Sequence, residues 1–140
     1  IGLLINGCMI LGLPGDTKET VKKTIEFSKT LNPDTMQFYS LYAYPGTEIW
    51  EWAKTNGYLV TEDYSKLLTN GGQHFSNVSR PGLSNEEATE LCNKALRKFY
   101  LRPGYIFPKL LQVITSFEEA KRTFISGKTF FRHILMPSHN

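Results

Sequence analysis

The sequence predicts an α/β fold, a βαβ unit followed by a mostly α-helical tail, and three stretches carry that prediction. From Leu3 to Leu11 the residues are nearly all apolar, broken by Asn6 and Gly7, as in a strand buried on both faces of a parallel sheet. Thr17 to about Leu31 then reads as a helix, with Val21, Ile25 and Leu31 on or near one side and Lys18, Lys22, Lys23 and Lys29 on a solvated face. Thr35 to Tyr42 is rich in β-branched and aromatic residues and reads as a second strand. Strand, helix and strand within about forty residues make one βαβ unit, whose strands pair in parallel through a right-handed crossover.

The first strand and helix are joined by Met9-Ile-Leu-Gly-Leu-Pro-Gly-Asp-Thr17. Gly12 and Gly15 permit backbone conformations closed to other residues, Pro14 fixes its own φ between them, and Asp16 with Glu19 has capping-box spacing. A turn that offers main-chain N–H groups at a helix N-terminus can receive an anion or nucleotide. The phosphate motifs themselves are missing: Gly15 is followed by Asp-Thr-Lys, and no G-x-G-x-x-G occurs. A plain β-α connection is the simpler reading. Asn32-Pro33-Asp34 ends the helix.

Length and composition narrow the class. At 140 residues there is room for about one domain with a moderate core. A hydrophobic content of 41% and a charged content of 21% are those of an ordinary globular protein. No apolar run approaches the roughly 20 residues that span a bilayer, and no basic signal-peptide region opens the chain, so a cytoplasmic location is expected. The chain starts in a strand without Met, as a C-terminal piece of a longer protein would. Cys8 and Cys92 lie far apart with no Cys-x-x-Cys or Cys/His spacing around either, which disfavours a zinc or iron-sulfur site in this chain.

Beyond the second strand, Thr47 to about Asn56 forms a short helix stopped by Gly57, with Trp50 and Trp52 read as packing anchors. Leu59 to Leu83 reads as irregular, with turns at Asn70-Gly-Gly72 and Arg80-Pro-Gly82, and His74 as a surface loop residue. Ser84-Asn-Glu-Glu87 is a capping box that opens a helix to about Tyr100, with Ala88, Leu91, Cys92, Ala95, Leu96 and Phe99 as its apolar stripe. Pro103 and Pro108 break the chain, and a further helix is expected from near Pro108 to Ile114. Ser116 caps a last helix in which Phe117, Phe124 and Phe131 recur every seven residues beside Ala120, Gly127 and Ile134, a seam for another helix.

Charge is uneven along the chain. Through Asn93 there are 7 Lys/Arg and 11 Asp/Glu, for −4, and from Lys94 onward there are 9 and 2, for +7. Such a basic, aromatic tail can meet a membrane surface, nucleic acid, or an acidic part of its own protein. Docking on the protein's own acidic first part is preferred, and no RNP-like or zinc-finger motif supports nucleic acid.

Ile10-Leu-Gly-Leu-Pro-Gly-Asp-Thr17, followed by Tyr44-Pro-Gly-Thr47, resembles the paired "GLPGET" and "PYPGT" signatures of radical S-adenosylmethionine enzymes, with Asp16 where that family usually has Glu. Ala95-Leu-Arg-Lys-Phe-Tyr-Leu-Arg-Pro103 is similar to the C-terminal region of the cobalamin-binding group, which includes the anaerobic magnesium-protoporphyrin monomethyl ester oxidative cyclase and enzymes of hopanoid synthesis. The resemblance implies the last two strands of a partial (β/α)6 TIM-like barrel (residues 1–58), an irregular connection (59–83) and a basic helical tail (84–140). It implies a parent enzyme, an oxidoreductase or methyltransferase, that uses S-adenosylmethionine and a [4Fe-4S] cluster to form a 5'-deoxyadenosyl radical, with cluster ligands outside this chain and cobalamin in an N-terminal domain.

Carried over by position, Ile10, Gly12 and Leu13 would lie beside the adenosyl group, and Tyr42, Tyr44 and Pro45 would line the neighbouring wall. The expected partners are the remaining barrel and N-terminal domain and a small-molecule substrate such as a tetrapyrrole or lipid, with peripheral membrane contact and no nucleic acid. No residue of this chain is singled out as catalytic or as a metal ligand. The competing reading is a non-catalytic interaction module whose basic aromatic tail binds membrane or a partner protein.

Overall fold

A computed structural model describes residues 3–63, 65 and 75–115. The Asn70-Gly-Gly72 turn, His74 and the Phe117, Phe124, Phe131 seam lie outside the described residues. Strand β1 (Asn6–Leu11) and strand β2 (Thr35–Ser40) pair in parallel, in register from Asn6–Thr35 to Leu11–Ser40. Helix α1 (Lys18–Leu31) makes the crossover between them, and the left-handed Asn32 ends it at φ 46°. Helices α2 (Glu48–Thr55), α3 (Asn85–Tyr100) and α4 (Pro103–Thr115) follow.

Among the described residues, the pair is covered on one face only. Leu11, Met36 and Phe38 turn toward α1 and α3 and are buried with Val21, Ile25, Cys92, Ala95 and Phe99. The alternate side chains Asn6, Cys8 and Ile10 are exposed on the other face, with Ile10 half exposed. Among the described residues β1 is thus buried on one face, where the sequence reads as a strand buried on both. Leu3, Leu4 and Ile5 precede the strand and are exposed, and the helices contact a single side of the sheet. At Gly7, which is in register with Met36 of β2, a Cβ would sit 2.5 Å from Met36 Sδ, so a larger residue there would force the Met36 side chain to shift.

Helix α3 is the main cover. Ser84 and Glu87 form the capping box read from the sequence, and Ala88, Cys92, Ala95 and Phe99 are buried along its inner stripe. Glu87 also accepts an ion pair from Lys18 at 2.6 Å, tying the N-terminal ends of α1 and α3 together. At the other end Arg102 lies over the Phe99 ring at 4.3 Å and donates to Lys29 C=O at 2.7 Å and to Asn32 Oδ1 at 2.5 Å, satisfying acceptors left open where α1 ends.

Two boundaries differ from expectation. The capping box of α1 is Thr17 with Thr20, not Asp16 with Glu19. Asp16 instead folds back onto the turn it follows. Helix α4 begins at Pro103 and contains Pro108. Proline suits a first helical position, where its missing N–H has no intrahelical partner, so Pro103 starts the helix it was expected to prevent.

Burial separates the two thiols. It pushes the Cys92 thiol up to about 12, and burial first, then the nearby Tyr100 and Asp34, pushes the Tyr105 phenol up to about 12. Both folded values lie above the unfolded ones, so the protonated forms stabilise the fold fully below about pH 9, and that stability is lost as pH rises toward about 12. The urea midpoint is expected to fall across that window. At neutral pH an aromatic disulfide reagent should label Cys8 quickly and Cys92 only after unfolding; equal rates would contradict the packing of α3.

Candidate functional site

Parallel pairing brings the two glycine-containing turns to the same end of the sheet. Leu11 is opposite Ser40, and Leu41 N–H donates to Leu11 C=O at 2.8 Å, so Gly12-Leu13 and Leu41–Pro45 leave the strands side by side. This is the C-terminal edge, where parallel α/β folds place ligands.

The first turn is held from within. The Asp16 carboxylate accepts from Gly12 N–H and Leu13 N–H, both at 3.0 Å, and from the Thr20 hydroxyl at 2.9 Å. These are donors that the sequence offered to an external anion, and the chain's own carboxylate occupies them. Arg80 closes the turn from outside, donating to Leu13 C=O at 3.1 Å and to Asp16 C=O. With four main-chain groups of the turn engaged by two side chains, its shape is fixed independently of any ligand.

The second turn is held by the segment that returns beneath it. Asn77 is fully buried; its Oδ1 accepts from Ala43 N–H at 2.7 Å and its Nδ2 donates to Ala43 C=O at 2.9 Å. The Ser76 hydroxyl donates to Leu41 C=O at 2.8 Å. A side-chain amide thus does at Ala43 what a neighbouring strand would do, and the stretch reads as an extra, side-chain-made rung on the sheet. Below it Leu41, Ala43, Ala53 and Val78 form a second core against which Trp50 and Trp52 pack, the anchoring role read from the sequence. Leu59 and Val78 form an antiparallel bridge, so this part of the 59–83 connection is ordered by pairing.

The six predicted site residues divide by environment. Ile10, Leu13, Tyr44 and Pro45 are exposed apolar surface at this end, with Leu13 at 38% and Tyr44 at 47% exposure. Tyr42 is half-buried, and its ring lies 5.0 Å from that of Tyr44, tilted by 52°. Gly12 is different. It is buried at φ +89°, and a Cβ there would point at Ala88 (3.5 Å), Leu83 (3.7 Å) and Leu41 (3.9 Å), toward α3 and away from the open rim. Gly12 thus serves the backbone turn and its packing against α3. Arg80, Asn77 and Ser76 were not recognised from the sequence, because their partners are main-chain atoms 34 to 67 residues away.

Among the described residues no cluster of three or more His, Cys, Asp or Glu could hold a metal ion. No described helix is long and apolar enough to cross a membrane. The site is therefore an apolar, aromatic rim on two rigid turns at the C-terminal end of a parallel strand pair. Over 115 residues the chain is 35% identical to a protein of Pyrococcus horikoshii described as an uncharacterized methyltransferase, a match that covers 79% of this chain and 23% of that protein. The chain thus spans about a quarter of the length of the curated relative it matches. No protein-family profile and no solved structure matches it.

Proposed function

We propose that this chain forms part of the cofactor wall of an S-adenosylmethionine-dependent enzyme, with the adenosyl group against Ile10, Leu13, Tyr42, Tyr44 and Pro45. The observation that carries this reading is the convergence of the Ile10–Thr17 and Tyr44–Thr47 motifs on adjacent C-terminal ends of two parallel strands. The description of the 35% identical relative as a methyltransferase supports the cofactor class. The residues present fit the adenosyl group: aliphatic and aromatic side chains stand exposed on turns braced by Asp16, Arg80 and Asn77. S-adenosylmethionine would supply an activated methyl or adenosyl group for transfer or radical chemistry, and the apolar rim would exclude water from it.

The finer reading is a radical S-adenosylmethionine enzyme of the cobalamin-binding group, acting on a tetrapyrrole or lipid, with this chain as the last two strands of a partial barrel and inactive by itself. Its two cysteines do not fit a [4Fe-4S] cluster, since Cys92 is buried in the α3 packing and Cys8 stands alone on the open sheet face. Cluster ligands would come from elsewhere in a longer protein, as would the cobalamin domain. In the full-length enzyme, Tyr44→Ala should weaken S-adenosylmethionine binding about three- to tenfold, the scale of one aromatic contact. Calorimetric titration checks this; unchanged affinity would remove Tyr44 from the site.

A second reading, attachment to an anionic membrane surface, is favoured by one observation. On α4, Phe107, Leu110, Leu111 and Ile114 follow helical spacing and are all more than half exposed, Ile114 at 80%, in a region with an excess of basic residues. Salt-sensitive flotation of the chain with anionic liposomes would support it, and failure to float at low salt would dismiss it.

A further inference from the structure

Helix α4 is apolar on the side turned away from the rest of the chain. The Tyr105 hydroxyl donates to Asp34 C=O at 2.7 Å, Lys109 Nζ lies 3.6 Å from Asp34 Oδ1, and Pro108 borders the same groove beside Asn32 and Pro33, so these residues mark the inward side. Ile106, Phe107, Leu110 and Ile114 fall on the opposite side by helical spacing, and among the described residues all are exposed, Phe107 at 67%. Apart from Tyr105, the polar side chains of α4 are those of Lys109, Gln112 and Thr115. A helix apolar over so much of its circumference is built to be covered.

What covers it follows from the register of the sequence. Leu110 stands seven residues before Phe117, and Ile106 and Val113 lead at the same interval into Ala120, Gly127 and Ile134, so the seam read in the tail begins inside α4. Its phase does not change across Thr115-Ser116, and no glycine or proline stands between Pro108 and Gly127. A fold back at Ser116 would place no demand on phase. One continuous helix does, because a single seven-residue repeat then keeps the whole seam on one face.

The two positions of the seam differ in size. One carries Leu110, Phe117, Phe124 and Phe131, and the other carries the small Ala120 and Gly127. Parallel pairing of two such helices sets like against like, overfilling the Phe layers and emptying the Ala and Gly layers. Antiparallel pairing sets one position against the other: Phe117 meets Gly127, Phe124 meets Ala120, Phe131 meets Val113, and Leu110 meets Ile134. Each of these contacts occurs twice about a two-fold axis, so the seam is its own complement.

We propose that α4 continues into the tail as one helix, and that residues 110–134 pair antiparallel with the same segment of a second copy of this chain, covering the outward face of α4 around Leu110 and Ile114. The alternation of large and small residues favours that occupant. A lipid surface asks only for apolar side chains and places no demand on their order of size. The pairing is independent of the cofactor.

Sedimentation equilibrium of the 140-residue chain tests it. A dimer is expected, and Leu110→Glu in α4 or Phe124→Glu in the tail should each weaken it roughly a hundredfold or more, the effect of losing an interface hot spot. A monomeric parent chain would overturn the proposal, as would a dimer that survives both substitutions. Direction is tested without a buried charge, in a Cys8→Ser background. Val113→Cys and Phe131→Cys chains should form no disulfide alone and a disulfide-linked dimer when mixed and mildly oxidised. Either chain cross-linking with itself would show parallel pairing, and a mixture that does not cross-link would show that the two positions do not meet; both results overturn the proposal. A monomer that floats with anionic liposomes would give the face to a membrane and overturn it likewise.

Discussion

Replacing Phe99 with alanine is expected to lower the stability of the chain by about 3–5 kcal/mol, the cost of emptying a fully buried aromatic site. Phe99 has no exposed surface and closes the core formed with Leu11, Val21, Ile25, Met36 and Phe38. Its ring also contacts Tyr100 at 5.1 Å and Tyr105 at 5.4 Å and carries the Arg102 guanidinium. The loss should therefore reach beyond the cavity, loosening the Tyr100 hydroxyl, which accepts from Met36 N–H and donates to Met36 C=O, both at 2.8 Å, and the Arg102 cap on α1. Against a total of about 7–15 kcal/mol for a chain of this size, such a loss removes a large share of the fold's stability. Urea unfolding measures it; a change below about 1 kcal/mol would mean that α3 does not seal the sheet.

The second large effect is expected at Gly12. Its φ of +89° is a conformation that side chains rarely adopt, and its Cβ direction runs into α3. Gly12→Ala would meet neighbours at ordinary contact distances, so its cost is mainly backbone strain, about 1–3 kcal/mol. Gly12→Val adds branched methyls beside Ala88 and Leu83, and overpacking raises the total to about 2–5 kcal/mol. Thermal unfolding should rank wild type above alanine and alanine above valine. Equal stability of the three would show that the turn relaxes freely and that Asp16 and Arg80 do not fix it.

Local signals carried most of the architecture. The βαβ order, the Ser84–Glu87 cap and the α3 stripe follow from spacing within one or two turns, and the structure places them within a few residues of where spacing puts them. What spacing cannot convey is which side of an element another element covers. Ile10 and Leu11 are equally apolar in sequence, yet one is half exposed and the other buried, because α1 and α3 pack on a single face. Asp16 shows the same limit at one side chain: its position suits a cap, but the Gly12 and Leu13 N–H groups lie within reach and claim it. Pro103 reads as a break in sequence because proline ends helices and starts them with the same ring, and here it starts one. The rim residues were legible as motifs, whereas Arg80 and Asn77, which hold the rim in shape, act on distant main-chain atoms and leave no local pattern.

The proposed function requires that the rim at the C-terminal end of β1 and β2 receive the adenosyl group. Hydrogen-exchange footprinting of the full-length protein with and without S-adenosylmethionine tests it most directly. Within these 140 residues, ligand-dependent protection is expected to be confined to peptides spanning residues 10–13 and 42–47, with little change along α1 and α3. Saturating ligand that leaves both stretches unchanged while protecting another part of the protein would contradict it.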